Sequence, residues 1–104
     1  MLYQQGDVLL TKISALPKGA QKRLGRVVLA EGEVTGHAHV ATATRPEWTV
    51  ELFEREGTLY LRTTGDAAIT HEEHGAITVP PGVYQIGKVQ EYDHFAEEAR
   101  EVRD

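Results

Sequence analysis

The chain has 104 residues, 40% of them hydrophobic and 26% charged, with a formal net charge of -5 and no cysteine. That length and balance describe one ordinary globular domain spanning 1–104, neither disordered nor fibrous. A disulfide framework and a thiolate metal site are excluded, no apolar run approaches the roughly 20 residues of a membrane span, and the start lacks a signal-peptide pattern, so a cytoplasmic location is expected.

Residues 7–13 (Asp-Val-Leu-Leu-Thr-Lys-Ile) are rich in strand formers and read as a first strand, broken by Leu16-Pro17-Lys18-Gly19. Residues 21–25 read as a basic connector, and 26–30 as a second strand ended by Glu31-Gly32. A third runs over 37–44. Residues 48–54 alternate cleanly, with Trp48, Val50 and Leu52 on one face, and Glu56-Gly57 signals a tight turn into a hairpin partner at 58–63. Residues 67–71 form a strand that runs into His71-Glu72-Glu73-His74, and 76–79 lead to the rigid turn Pro80-Pro81-Gly82. The longest strand candidate, 83–92, places Tyr84, Ile86, Lys88, Gln90 and Tyr92 on one face. Asp93 is suited to cap a closing helix over 94–102 with Phe95, Ala99 and Val102 as its apolar stripe. The expected fold is mainly β: a compact antiparallel β-barrel or sandwich with one C-terminal α-helix.

Four of the five histidines fall in two short segments, Thr35-Gly36-His37-Ala38-His39 and His71-Glu72-Glu73-His74. On a strand His37 and His39 share a face, leaving Ala38, Val40 and Thr42 for the packed side. A turn before Gly75 brings His71 and His74 together, whereas a straight strand separates them. Two chemistries suit this set. In a cupin-like metal site His37 and His39 supply two nitrogens and His71 or His74 a third, for zinc, iron, manganese or nickel. The glutamate such a site needs shortly after the second histidine is missing, since Ala43 and Thr44 stand there and Glu47 lies beyond Pro46. No metal and no cofactor is therefore expected.

Without a metal, neutral imidazoles can take a proton from a ribose 2′-hydroxyl and return one to a 5′-oxygen leaving group. The candidate catalytic residues are His37, His39, His71 and His74, with Lys88 stabilising phosphorane charge. Alanine at His37 or His39 is expected to lower turnover about 10²–10⁴-fold and to leave the fold intact. Lys12, Lys22, Arg23 and Thr35 are candidate substrate contacts, and Tyr84 and Tyr92 can stack bases, although Tyr84 suits the core better than a stacking platform. Lys12, Lys18, Lys22, Arg23 and Arg26 face only Asp7 within the first thirty residues, which permits a local anion-binding surface on an acidic protein. There is no phosphate-binding glycine loop, no Gly-x-Ser-x-Gly, and no zinc-finger or helix-turn-helix pattern, and no duplex-DNA partner is expected.

The histidine pairs, together with Gly-Asp-Val-Leu-Leu at 6–10, Pro80-Pro81-Gly82-Val83-Tyr84 and the ending Glu91-Tyr92…Arg100-Glu101-Val102-Arg103-Asp104, give a layout that resembles the small dimeric ring nucleases of type III CRISPR systems, phages and plasmids. That resemblance covers nearly the whole chain but transfers no catalytic motif position by position. It implies a metal-independent phosphodiesterase that opens cyclic oligoadenylate messengers. A homodimer is expected with it, since a chain this small can hardly enclose such a ring while a two-fold pair can, its cleft lined by His37, His39 and the 71–74 segment. A cupin-like metalloprotein and a non-enzymatic phage or plasmid accessory protein are the alternatives.

Overall fold

Tight turns pair neighbouring strands here, and the alternation of side chains then decides which face each strand buries. The structure is a computed structural model and describes residues 1–31 and 36–89. Ten strands are present among them: β1 (Leu2–Gln5), β2 (Val8–Ile13), β3 (Gln21–Arg23), β4 (Val28–Glu31), β5 (Ala38–Ala43), β6 (Val50–Arg55), β7 (Thr58–Thr63), β8 (Ala67–Thr70), β9 (Ile77–Val79) and β10 (Gly82–Lys88). They form two antiparallel sheets, a six-stranded one in the order β1-β2-β10-β7-β6-β3 and a four-stranded one in the order β4-β5-β8-β9.

The anticipated hairpin is β6–β7. Glu56 and Gly57 take φ values of 52° and 82°, the paired positive values of a type I′ turn, whose twist matches that of the strands. β1 and β2 are joined by another two-residue turn, Gly6-Asp7, in which Gly6 alone takes a positive φ, 60°. Val8, Leu10, Leu52, Leu61, Tyr84 and Ile86 of the larger sheet pack in one cluster with Leu29, Ala41, Ala67, Ile69 and Val79 of the smaller. Each large aliphatic side chain buried there contributes roughly 1.5–3 kcal/mol.

Several expectations change. The described residues contain no closed barrel: the sheets remain separate and share a core. The helix expected at 94–102 lies outside the described residues. The supposed connector at 21–25 contains β3, an entirely exposed edge strand with no apolar pattern to reveal it. It is held by its ladder to β6 and by ion pairs of Lys22 with Glu51 (3.1 Å) and Arg23 with Glu54. Charged edges of this kind also block pairing with stray strands.

The phase of β5 differs from the expected one. Ala38 is buried as expected, but His37 precedes the strand, His39 is buried on the same side as Ala41, which belongs to the core, Val40 is half-buried and Thr42 is exposed. Tyr84 is a core residue and not a stacking platform. It is wholly buried, its hydroxyl donates to the Pro80 carbonyl, it meets the Tyr3 ring edge-on at 5.9 Å, and burial pushes its phenol up to about 12. No helix among the described residues is long and apolar enough to cross a membrane.

Candidate functional site

The two sheets meet over the histidines. His39 comes from β5, and His37 lies just before that strand. β8 ends at Thr70, and a bend over 72–74 carries His71, Glu72, Glu73 and His74. From the larger sheet come Gln5, at the end of β1, and Gly6-Asp7 of the following turn. Lys88, at the end of β10, is brought beside that turn by the β2–β10 ladder and by the Val89 amide, which donates to the Asp7 carbonyl at 2.8 Å.

Four imidazoles converge. His39 and His71 have ring centroids 4.3 Å apart, His71 and His74 4.6 Å, His37 and His71 5.7 Å, and His39 and His74 5.8 Å. The bend before Gly75 is thus what unites His71 with His74. His74 is placed by a missing side chain: its ring lies so close over Gly6 that a Cβ there would stand 2.6 Å from Nε2.

Carboxylates surround the rings. Glu72 accepts the Ala38 amide at 2.9 Å, and that bond, ahead of one from its own amide, holds its carboxyl below the ordinary value. Glu73 lies 3.7 Å from His37 Nδ1 and donates its amide N–H to His71 Nδ1 at 3.0 Å. Asp7 lies 3.9 Å from His39 Nε2 and 4.0 Å from the Lys88 ammonium. His39 is 3% exposed, its Nδ1 lies 2.8 Å from Gln5 Oε1, and its pKa is lowered first by burial and then by His71, with Asp7 opposing. It is therefore a neutral imidazole near pH 7. Ligand atoms of His37, His71 and Glu72 all lie within 4.8 Å of one another.

Five candidates taken from sequence thus assemble: His37, His39, His71, His74 and Lys88. The proposed substrate contacts do not join them. Lys12 sits at the far end of β2, about 17 Å along the strand from Asp7 at ~3.4 Å per residue, with its side chain against Gly82. Lys22 and Arg23 lie on β3, four inter-strand steps from β2 and so about 19 Å away, engaged with Glu51 and Glu54. Thr35 and Tyr92 lie outside the described residues. Sequence reasoning missed Gln5, Asp7, Glu72 and Glu73 as members of the site. The glutamates were within reach, lying between the two histidines, but no local pattern marks Gln5.

The fold and the cluster define a two-sheet antiparallel β domain with a histidine–carboxylate site at the seam. The chain belongs to the family described as Domain of unknown function (DUF8820), whose model matches residues 4–89. No curated protein and no solved structure matches it.

Proposed function

We propose that the cluster is a centre for a divalent transition-metal ion, and that the protein is a metal-dependent hydrolase of the ester or phosphoester class. The observation that carries this reading is the approach of His37, His71 and Glu72, with two further imidazoles beside them. Bonds of about 2.1 Å in a tetrahedral site put ligand atoms roughly 3.4 Å apart, so the three close by at most about 1.4 Å on binding. Side chains on a bend can make that adjustment, with the Glu73 amide giving up His71 Nδ1. Imidazole and carboxylate donors suit zinc, iron, manganese or nickel. Glu72 supplies the glutamate whose absence after His39 argued against a metal.

Charge supports the same reading. With neutral imidazoles, Asp7, Glu72 and Glu73 oppose only Lys88, leaving a deficit that one divalent ion balances. The three carboxylates alone would repel a polyanion. Held by His37, His71 and Glu72, such an ion would supply Lewis acidity and a lowered pKa for water, and His39, buried and neutral, would be the base of the site.

A second reading keeps the metal-free cleavage of cyclic oligoadenylate by a cytoplasmic homodimer with no duplex-DNA partner. It is favoured by one observation. His71 receives a hydrogen bond on Nδ1, so its neutral ring carries the proton on Nε2 and can donate a hydrogen bond to a phosphoryl oxygen beside His39 as a base. The dispersal of Lys12, Lys22 and Arg23 does not help it.

Elemental analysis of protein purified without chelator, followed by incubation with cyclic tetra- and hexa-adenylate with and without EDTA, separates the readings. Stoichiometric metal is the expected result. Cleavage that survives EDTA in metal-free protein would overturn the metal reading in favour of the second, and neither metal nor cleavage would leave an accessory binding protein.

A further inference from the structure

We propose that Gln5 is the positioning residue of this site: its one side-chain amide fixes which nitrogen His39 offers to the cluster and clasps both ends of the segment that carries His71 and His74. Gln5 is 3% exposed, and both of its amide hydrogens and its oxygen are engaged. Its Nε2 donates to the Ile69 carbonyl and to the Gly75 carbonyl, each at 2.8 Å, and its Oε1 lies 2.8 Å from His39 Nδ1.

The orientation of that amide follows from its partners. A side-chain NH₂ has two hydrogens, and both face carbonyl oxygens, which can only accept. Rotating the group by half a turn would set Oε1 against those oxygens and leave a buried pair of acceptors facing each other, at a cost of the order of an unsatisfied polar group for each. Oε1 therefore points at His39, and since an amide oxygen only accepts, the neutral ring must carry its proton on Nδ1. The lone pair is then on Nε2, which faces Asp7 at 3.9 Å in the company of His71 and His74. A ring protonated on Nε2 could neither bind a metal nor take a proton through that atom.

The two carbonyls bracket the His71–His74 segment, Ile69 just before it and Gly75 directly after it. No backbone ladder ties Gly75, so Gln5 stands in for one at the point where the chain leaves the bend. A single glutamine of the larger sheet thus positions three imidazoles of the smaller, an outer-shell role of the kind that orients metal-binding histidines.

The consequence for metal affinity rests on the proposed metal centre, whereas the tautomer of His39 can be read without it. Nitrogen-15 NMR of the imidazoles in metal-free protein, at mildly alkaline pH, reports which nitrogen of His39 bears the proton. Nδ1–H is expected in the native protein, and Nε2–H there would overturn the assignment with no variant needed. In Gln5→Met, close in volume but unable to hydrogen-bond, the Nδ1–H preference should be lost and zinc affinity by calorimetry should fall about 10–100-fold. A folded Q5M protein that keeps the native tautomer and binds zinc within about twofold of the native protein would also overturn it. If native protein binds no zinc while the tautomer changes between native and Q5M, Gln5 keeps its role and the metal reading fails.

Discussion

Alanine at His39 and alanine at His37 should have very different effects on stability, although the two residues are two positions apart on the same motif. The His39 side chain is 4% exposed and the His37 side chain 22%. Removing the His39 ring leaves Gln5 Oε1 buried without a donor, costing about 1–3 kcal/mol, and opens a void in a packed seam. Together these give roughly 2–4 kcal/mol, a large share of the 5–15 kcal/mol typical of a whole domain. His37 makes a 3.7 Å approach to the exposed Glu73 and an edge-on ring contact with His71 but no buried hydrogen bond, so H37A should stay within about 0.5 kcal/mol of the native protein. Urea denaturation in EDTA measures both without stabilisation from bound metal. A Q5M/H39A double variant should lose less than the sum of its parts, because the orphaned acceptor is gone. If H39A fell within about 0.5 kcal/mol of H37A, the Gln5–His39 pair would not be a structural element of the seam. The sequence expectation is that either alanine leaves the fold intact; the contacts of His39 add the expectation that H39A folds with reduced stability.

Gly6→Ala should cost about 1–2 kcal/mol for its left-handed φ and expel His74, whose Nε2 would lie 2.6 Å from the new Cβ; His74 signals unchanged by NMR would refute that contact. For metal-free protein, the lowered His39 pKa means that the unfolded chain binds more protons than the folded one between the folded value and 6.5. Stability is then full above 6.5 and is lost as pH falls through the lowered value, by at most about 1.4 kcal/mol per pH unit. Glu72, also lowered, adds a further loss as pH falls below 4.5. Urea midpoints across pH should show the upper step in native protein and not in His39→Asn. Tyr84→Phe should cost about 0.5–1.5 kcal/mol, since the Pro80 carbonyl loses its donor; no loss would mean that the bond contributes nothing.

The parts of the fold legible in the sequence are those where one strand carries its own signal. The β6–β7 hairpin declares itself through alternation and a two-residue turn, and β2, β8 and β10 through runs of β-formers. β3 could not be found that way, because Gln21-Lys22-Arg23 is stable only as the partner of β6. The phase of β5 was misread for a related reason. A buried histidine is unfavourable unless its polar atoms are paired, and the partner that pairs His39 lies 34 residues away on β1. The histidines themselves were visible as a cluster of rare residues, but proximity in sequence misled for the cations: Lys12 and Asp7 share one short segment and lie at opposite ends of it.

Every described member of the site, from Gln5 to Lys88, falls within the residues matched by the family model, 4–89. The site is also divided between the sheets, with Gln5, Gly6, Asp7 and Lys88 on the larger and His39 and the 71–75 segment on the smaller. Neither sheet can assemble it alone. The shared apolar core sets how the sheets meet, and the Gln5 bonds to Ile69, Gly75 and His39 fix the remaining freedom at the seam. An ion bound there by residues of the smaller sheet would draw His71 and Glu72 inward against groups that Gln5 holds to the larger one. Metal binding and the docking of the two sheets are then parts of one equilibrium, in which whatever loosens the seam weakens the site and an ion that fills the site tightens the seam.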